Sequence, residues 1–172
     1  MIPSRKLARI PTAVANRTNN VTWQSDWGKT FLAAVTPSRQ CFLTGVWGVG
    51  GSWMTNTDHV RVTNDGTNWW IDGTVNTSSL GNSRGYASAI CVDMPANTWV
   101  GTGVWSVADP GSTTSNAGWD STGMACALTG VQGHFTANDW YDGAVINWPA
   151  AIPGWWTLGL KNGKKAWVTC VQ

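Results

Sequence analysis

The sequence predicts an all-β protein of two tandem, duplicated antiparallel modules, of small sandwich or barrel type, each closed by an internal disulfide. Three observations carry that expectation: an unusual composition, an octet that occurs twice, and four cysteines placed around the two copies.

The chain has 172 residues, 42% of them apolar, which is enough for one ordinary core or two small ones. Only 12% of residues are charged, and all nine acids are Asp. In place of the Glu and Lys that cover helices stand Thr, Asn, Ser, Gly, Val and Trp, which favour pleated surfaces and tight turns. Fourteen tryptophans are more than so small a chain can hide, so some of them contribute surface.

The octet Cys41-Phe42-Leu43-Thr44-Gly45-Val46-Trp47-Gly48 returns as Cys126-Ala127-Leu128-Thr129-Gly130-Val131-Gln132-Gly133, identical at six of eight positions. Further on, Trp69-Trp70 is answered by Trp155-Trp156, and Cys91-Val92 by Cys170-Val171. Three landmarks in one order point to duplication. The resulting organisation is an N-terminal arm over residues 1–20, a β module over 21–92, a linker with possible leading strands over 93–125, and a second module over 126–172. Residues 110–118, small and polar, have the composition of a linker or long loop.

Within the modules the hairpin signals are local. His59-Val60-Arg61-Val62-Thr63 alternates like a half-buried strand, and Asn64-Asp65-Gly66-Thr67 supplies a turn before the chain returns through Asn68. In the second copy Asn162-Gly163 is a strong two-residue hairpin signal. Adjacent strand residues face opposite ways, so one tryptophan of each Trp-Trp pair is expected in the core.

Four cysteines allow three pairings, and reduced buried thiols are a further alternative. The repeat favours Cys41 with Cys91 and Cys126 with Cys170, one staple per module. Closing loops of about 50 and about 44 residues contributes about 4 kcal/mol each from lost chain entropy. Disulfides in turn imply maturation in an oxidising place. A metal site would need close cysteine pairs, and with only His59 and His134 to complete one, no metal and no other cofactor is expected.

Little in the chain points to catalysis. Gly81-Asn82-Ser83-Arg84-Gly85 fits a nucleophile elbow in letters, but it stands between a loop and a strand rather than a strand and a helix. Asp139 and Asp142 flank Trp140 and Tyr141 and form the most suggestive carboxylate pair, though a turn explains them as well. The protein is expected not to be an enzyme. Net charge is +2, and the basic residues Arg5, Lys6, Arg9 and Arg17 make a flexible attachment arm rather than a nucleic-acid footprint. No apolar run approaches the roughly 20 residues of a membrane span, and residues 7–10 are too short and too close to Pro11 for a secretion signal. Trp47, Trp53, Trp140, Tyr141 and Trp148 lie in Gly-, Asn- and Asp-rich stretches and are the expected contact residues, suited to sugar rings or to another protein.

With its octet, Trp-rich return and closing Cys-Val, the chain resembles β modules of bacteriophage fibre and tail proteins and of bacterial extracellular proteins. The likeness covers residues 41–92 and 126–171. The second copy departs at Lys164-Lys165-Ala166-Trp167, where the first has Gly85-Tyr86-Ala87-Ser88. The resemblance implies a displayed, non-catalytic β module and specifies no ligand. Together with the staples and the low charge, it leads to the expectation of a phage virion component: a capsid decoration, a neck or collar fibre, or a tail-associated protein. Its partners would be other virion proteins and further copies of itself, for example as a trimer. The alternative is a secreted or displayed lectin that binds host-surface glycan through tryptophan platforms.

Overall fold

The computed structural model describes residues 16–49, 53, 55–76, 84–107, 112–120, 124–135, 144–147 and 155–172. These form twelve strands and no helix. The first six are β1 (Val21–Gln24), β2 (Thr30–Ala34), β3 (Arg39–Val49), β4 (His59–Asn64), β5 (Asn68–Thr74) and β6 (Arg84–Asp93). The second six are β7 (Val100–Ser106), β8 (Ser112–Asp120), β9 (Ala125–Gln132), β10 (Ala144–Asn147), β11 (Trp155–Lys161) and β12 (Lys165–Val171).

The strands pair antiparallel into three sheets, ordered β1-β6-β3, β10-β11-β8 and β2-β5-β4-β9-β12-β7. Cut between β4 and β9, the long sheet separates into β2-β5-β4 and β9-β12-β7, and each half of the chain then shows the same order of strands. The octets occupy matching places in β3 and β9. Cys41 stands opposite Cys91 and Cys126 opposite Cys170, and both pairs are bonded. The register slips once in each octet, between Leu43 and Gly45 and between Leu128 and Gly130, leaving Thr44 and Thr129 as bulges.

Alternation explains which residues go inside. In β4, Val60 and Val62 are buried, while in β5 it is Trp69 and Ile71. These join Trp23, Leu32, Trp53, Ala87, Ala89 and Val131 in the first core. Each large apolar side chain there contributes roughly 1.5–3 kcal/mol by leaving water. The second core holds Leu158, Leu160, Ala166, Val168 and Cys170, with Trp105, Leu128 and Ile146 packed on it. Val60, Val131 and Ala166 form one row across β4, β9 and β12. Because Val60 and Val131 belong to the first core and Ala166 to the second, both three-stranded sheets lie over the same face of the long sheet.

The β4–β5 turn forms as the sequence predicts. Gly66 takes φ +91°, and the Asp65 carboxylate accepts the backbone N–H groups of Asn68 and Thr67 and the Trp70 indole N–H. Those donors hold the Asp65 carboxyl below the usual Asp range. The Asn162-Gly163 turn also forms, with φ of 47° and 68°, but the strands it joins are not neighbours. β11 lies in a three-stranded sheet and β12 in the long one, so the expected hairpin is instead a crossing between layers. Leu158 and Leu160 on one strand and Ala166 and Val168 on the other all belong to one core. Two inward rows bury each other best face to face, in opposite layers.

Two further expectations are corrected. Residues 112–118, read as linker, belong to β8, which pairs along β11 in the body of the second half. The arm expected to run to residue 20 is docked from residue 16: Asn16 O accepts from Asp93 N–H, Arg17 bridges Val92, and Thr18 exchanges hydrogen bonds with Cys91. Arg5, Lys6 and Arg9 lie outside the described residues.

Candidate functional site

Among the expected contact residues, Trp47 projects from β3 and is 44% exposed. Its ring stacks on Tyr86, the cross-strand neighbour on β6, with centroids 5.5 Å apart and planes 8° from parallel. Trp53 corrects the expectation of a contact residue, since it is only 3% exposed. It donates its indole N–H to Trp47 O and meets Phe135 edge to face, tying the segment after β3 to the segment after β9. A large ring with an N–H to satisfy is worth more there as a plug than as a platform. Beside it Asp58, fully buried, accepts from the Thr55 N–H and hydroxyl and from the Asn76 backbone and side-chain amides. Trp140, Tyr141 and Trp148 lie outside the described residues, as do Asp139, Asp142 and residues 81–83 of the elbow-like string. Among the described residues no three His, Cys or Asp side chains gather as a metal site, and no helix is long and apolar enough to cross a membrane.

A recess lies where the two halves meet. β4 pairs with β9 only through His59–Gln132, Val60–Val131 and Arg61–Gly130. Past Gly130 the Thr129 bulge interrupts the β9 ladder, no β4–β9 pair follows, and the strands part like a fork. The fork encloses a groove of about 480 Å³, lined by Arg61, Val62, Thr63, Asn64 and Trp69 from the first half and by Thr102, Gly103, Val104, Thr129, Trp167, Val168 and Thr169 from the second, with Gln40 and Cys41 of β3.

At its apex Arg61, Gly130 and Trp167 stand in one row across three strands. The central glycine permits that row, because a Cβ there would lie 2.7 Å from Arg61 Cγ and 2.9 Å from Trp167 Cε3. The Arg61 guanidinium therefore lies over the Trp167 ring, 4.3 Å from its centroid, with Lys165 Nζ 4.9 Å from the same ring. Cross-strand from Arg61, Asp72 is engaged by Lys29 at 3.3 Å. Arg61 Nε and Trp69 Nε1 are buried and have no hydrogen-bond partner among the described residues. On the opposite wall the hydroxyls of Thr129 and Thr169 lie 3.5 Å apart. The lining contains no carboxylate, so the groove presents a cation and a set of hydroxyls.

Sequence reading identified none of this groove as a site. Arg61 was legible as the outward residue of a strand and Thr129-Gly130 as part of the repeat, but their convergence depends on pairing between the halves. The disulfides place the protein in an oxidising, non-cytoplasmic environment. In comparisons with protein-family models, curated proteins and solved structures, nothing matches this chain.

Proposed function

We propose that this chain is a non-enzymatic structural protein of a bacteriophage particle, displayed outside the cell as a capsid decoration, a neck or collar fibre, or a tail-associated component. The observation that carries the reading is the architecture: two sandwiches, each stapled across adjacent strands, fused through one continuous six-stranded sheet. Such a body resists the unfolding that a particle meets outside a cell, because staples restrict the unfolded chain and a shared sheet couples the halves. The basic residues Arg5, Lys6 and Arg9 are the proposed attachment arm, and the partners are other virion proteins and further copies of the chain. Peptide mass spectrometry of purified particles, run without reduction, tests this. Stoichiometric recovery with Cys41 linked to Cys91 and Cys126 to Cys170 supports it, whereas recovery only as free soluble protein overturns it.

A second reading, a lectin for host-surface glycan, is favoured by the exposed Trp47 ring stacked on Tyr86. It is compatible with display on a particle. A glycan screen is its test: binding lost in Trp47→Ala supports it, and a screen with no binding overturns it.

A further inference from the structure

We infer that the free edge of β7 is the surface through which two copies of this chain join, strand against strand and antiparallel about a two-fold axis. The inference deepens the structural reading by naming the contact between copies, and it rests on that reading only in taking a second copy as the occupant.

The long sheet ends in β2 on one side and β7 on the other, and the two ends are built differently. β2 has five residues, its register to β5 slips between Phe31 and Ala33, and Lys29, with its side chain 60% exposed, stands just before it. A short strand, a bulge and a lysine are devices that keep an edge from pairing again. β7 has none of them. Its seven residues contain no charge and no proline, and they pair with β12 along the whole strand without a register shift.

The hydrogen bonds that flank β7 identify which of its backbone groups are free. Trp99 and Gln172 each donate an N–H to the other's carbonyl, and Val107 N–H donates to Lys164 O. Bonding direction alternates along an antiparallel strand, so Gly101, Gly103 and Trp105 also bond toward β12. The N–H and C=O groups of Val100, Thr102, Val104 and Ser106 therefore point to the open side, where they have no partner among the described residues. The same residues carry the exposed side chains of the strand, with Val104 53% and Val100 37% exposed. Val104 lies beside Trp167 and Val100 beside Val171, on the face that the three-stranded sheets leave uncovered.

A second β7 answers this edge in full. With the two-fold axis at Gly103, Thr102 faces the second copy's Val104 and Val100 faces its Ser106, so every open N–H and C=O of the strand meets its complement. No charge meets its like, because the strand carries none, and the outer row becomes a run of Val, Thr and Ser neighbours that suits a pleated surface. In the other row Gly103 faces its own copy, where no Cβ stands in the way. At about 3.4 Å per residue the edge is about 24 Å long, a contact smaller than the roughly 800 Å² per partner of a standard interface. The dimer is therefore reversible, and it closes after two copies because the contact is isologous.

The test is sedimentation of the intact, oxidised protein between about 1 µM and about 1 mM, joined to residue-resolved amide exchange at both ends of that range. Dimer is expected to form as concentration rises. The amides of Val100, Thr102, Val104 and Ser106 are expected to slow by about fivefold or more, while those of β2 stay unchanged. Thr102→Pro removes an open N–H and no bond to β12, and is expected to weaken the dimer by about tenfold or more. Val104→Lys sets like charges near the axis and is expected to do the same, whereas Phe31→Lys, at the opposite edge, is expected to change the dimer constant by less than about twofold. A monomer at every concentration, a trimer, or a dimer indifferent to both β7 variants overturns the inference. Should neither β7 variant fold, exchange in the unaltered chain decides, and no slowing at the alternate β7 amides overturns it. Particles that contain the chain, together with a monomer in solution, would end this inference and leave the structural reading standing. A β7 dimer of a chain found only as free soluble protein would do the reverse.

Discussion

The two halves of the chain run through the same order of strands around different interiors. The first packs Trp23, Trp53 and Trp69 with Ile71 and small residues, and the second packs Leu158 and Leu160 against Ala166 and Val168. In the octets the halves agree in their backbone devices: cystine, bulged threonine and following glycine occupy matching places in β3 and β9. In β5 and β11 they do not. Aligning the Trp-Trp pairs puts Leu158 level with Asp72, yet Leu158 is inside and Asp72 is partly exposed. The register irregularity between Trp155 and Thr157 shifts the inward row by one residue. Backbone devices therefore hold the shared topology, while the side chains that fill it have room to change.

The largest effect that probes this comparison comes from the staples. Replacing Cys126 and Cys170 with Ser, or Cys41 and Cys91, is expected to cost about 4 kcal/mol in each case, because the closed loops have similar sequence separations, 44 and 50. Since β4 pairs with β9, each variant is expected to melt in one calorimetric transition. Two resolved transitions would show that the halves unfold independently.

Next come matched glycines. A Cβ at Gly73 would run into the carbonyl oxygen of His59, whereas at Gly159, the matching position of β11, nothing among the described residues lies within 4 Å. Gly73→Ala is expected to destabilise by about 3 kcal/mol and Gly159→Ala by less than about 0.5 kcal/mol, read from urea midpoints. Gly130→Ala, pressed by Arg61 and Trp167, is expected to cost about 2 kcal/mol, and Gly45→Ala, whose nearest neighbour would be Ser88 Oγ at 3.4 Å, markedly less. Equal costs within either pair would mean that the halves are more alike than their packing indicates.

Asp58→Ala is expected to cost about 2 kcal/mol, since it leaves donors of Thr55 and Asn76 without their acceptor. The loss would fall on the segment that carries Trp53, so Trp53 fluorescence in a background with other exposed tryptophans replaced should shift toward that of water-exposed indole.

The smallest expected effect is with pH. Arg39 holds Asp93 through paired hydrogen bonds of 2.7 and 2.8 Å and lowers its pKa, and Asp65 is lowered by its turn donors. A carboxylate whose folded pKa lies below its unfolded value, about 3.9, adds stability above that value. The contribution is lost as pH falls through the folded pKa. Melting temperature should therefore stay level from neutrality down to about pH 5 and decline below about pH 4. Asp93→Asn should start lower and lose less on acidification. An unchanged acid decline in that variant would assign the effect elsewhere.

Much of the fold was legible because it is encoded within short stretches. Alternation in residues 59–63 placed Val60 and Val62 inside, Asp65-Gly66 made its turn, and the repeated octet favoured the cystine partners that the structure joins. The candidate site was not legible for the opposite reason. Trp53 sits in a Gly-rich stretch that reads as surface, and its burial in the first core, edge to face with Phe135 far along the chain, depends on tertiary contacts.

By itself the sequence determined the β class and the conformation of two turns and favoured one pairing of the four cysteines, all of which follow from periodicity, repetition and the left-handed freedom of Gly and Asn. The tertiary structure alone decided that the Asn162-Gly163 turn crosses between layers, that β4 continues into β9, and that Arg61 and Trp167 meet over Gly130. Those outcomes depend on which inward faces bury each other. Strand edges carry the same N–H and C=O groups whatever their sequence, so long-range packing chooses among partners that local residues leave equivalent.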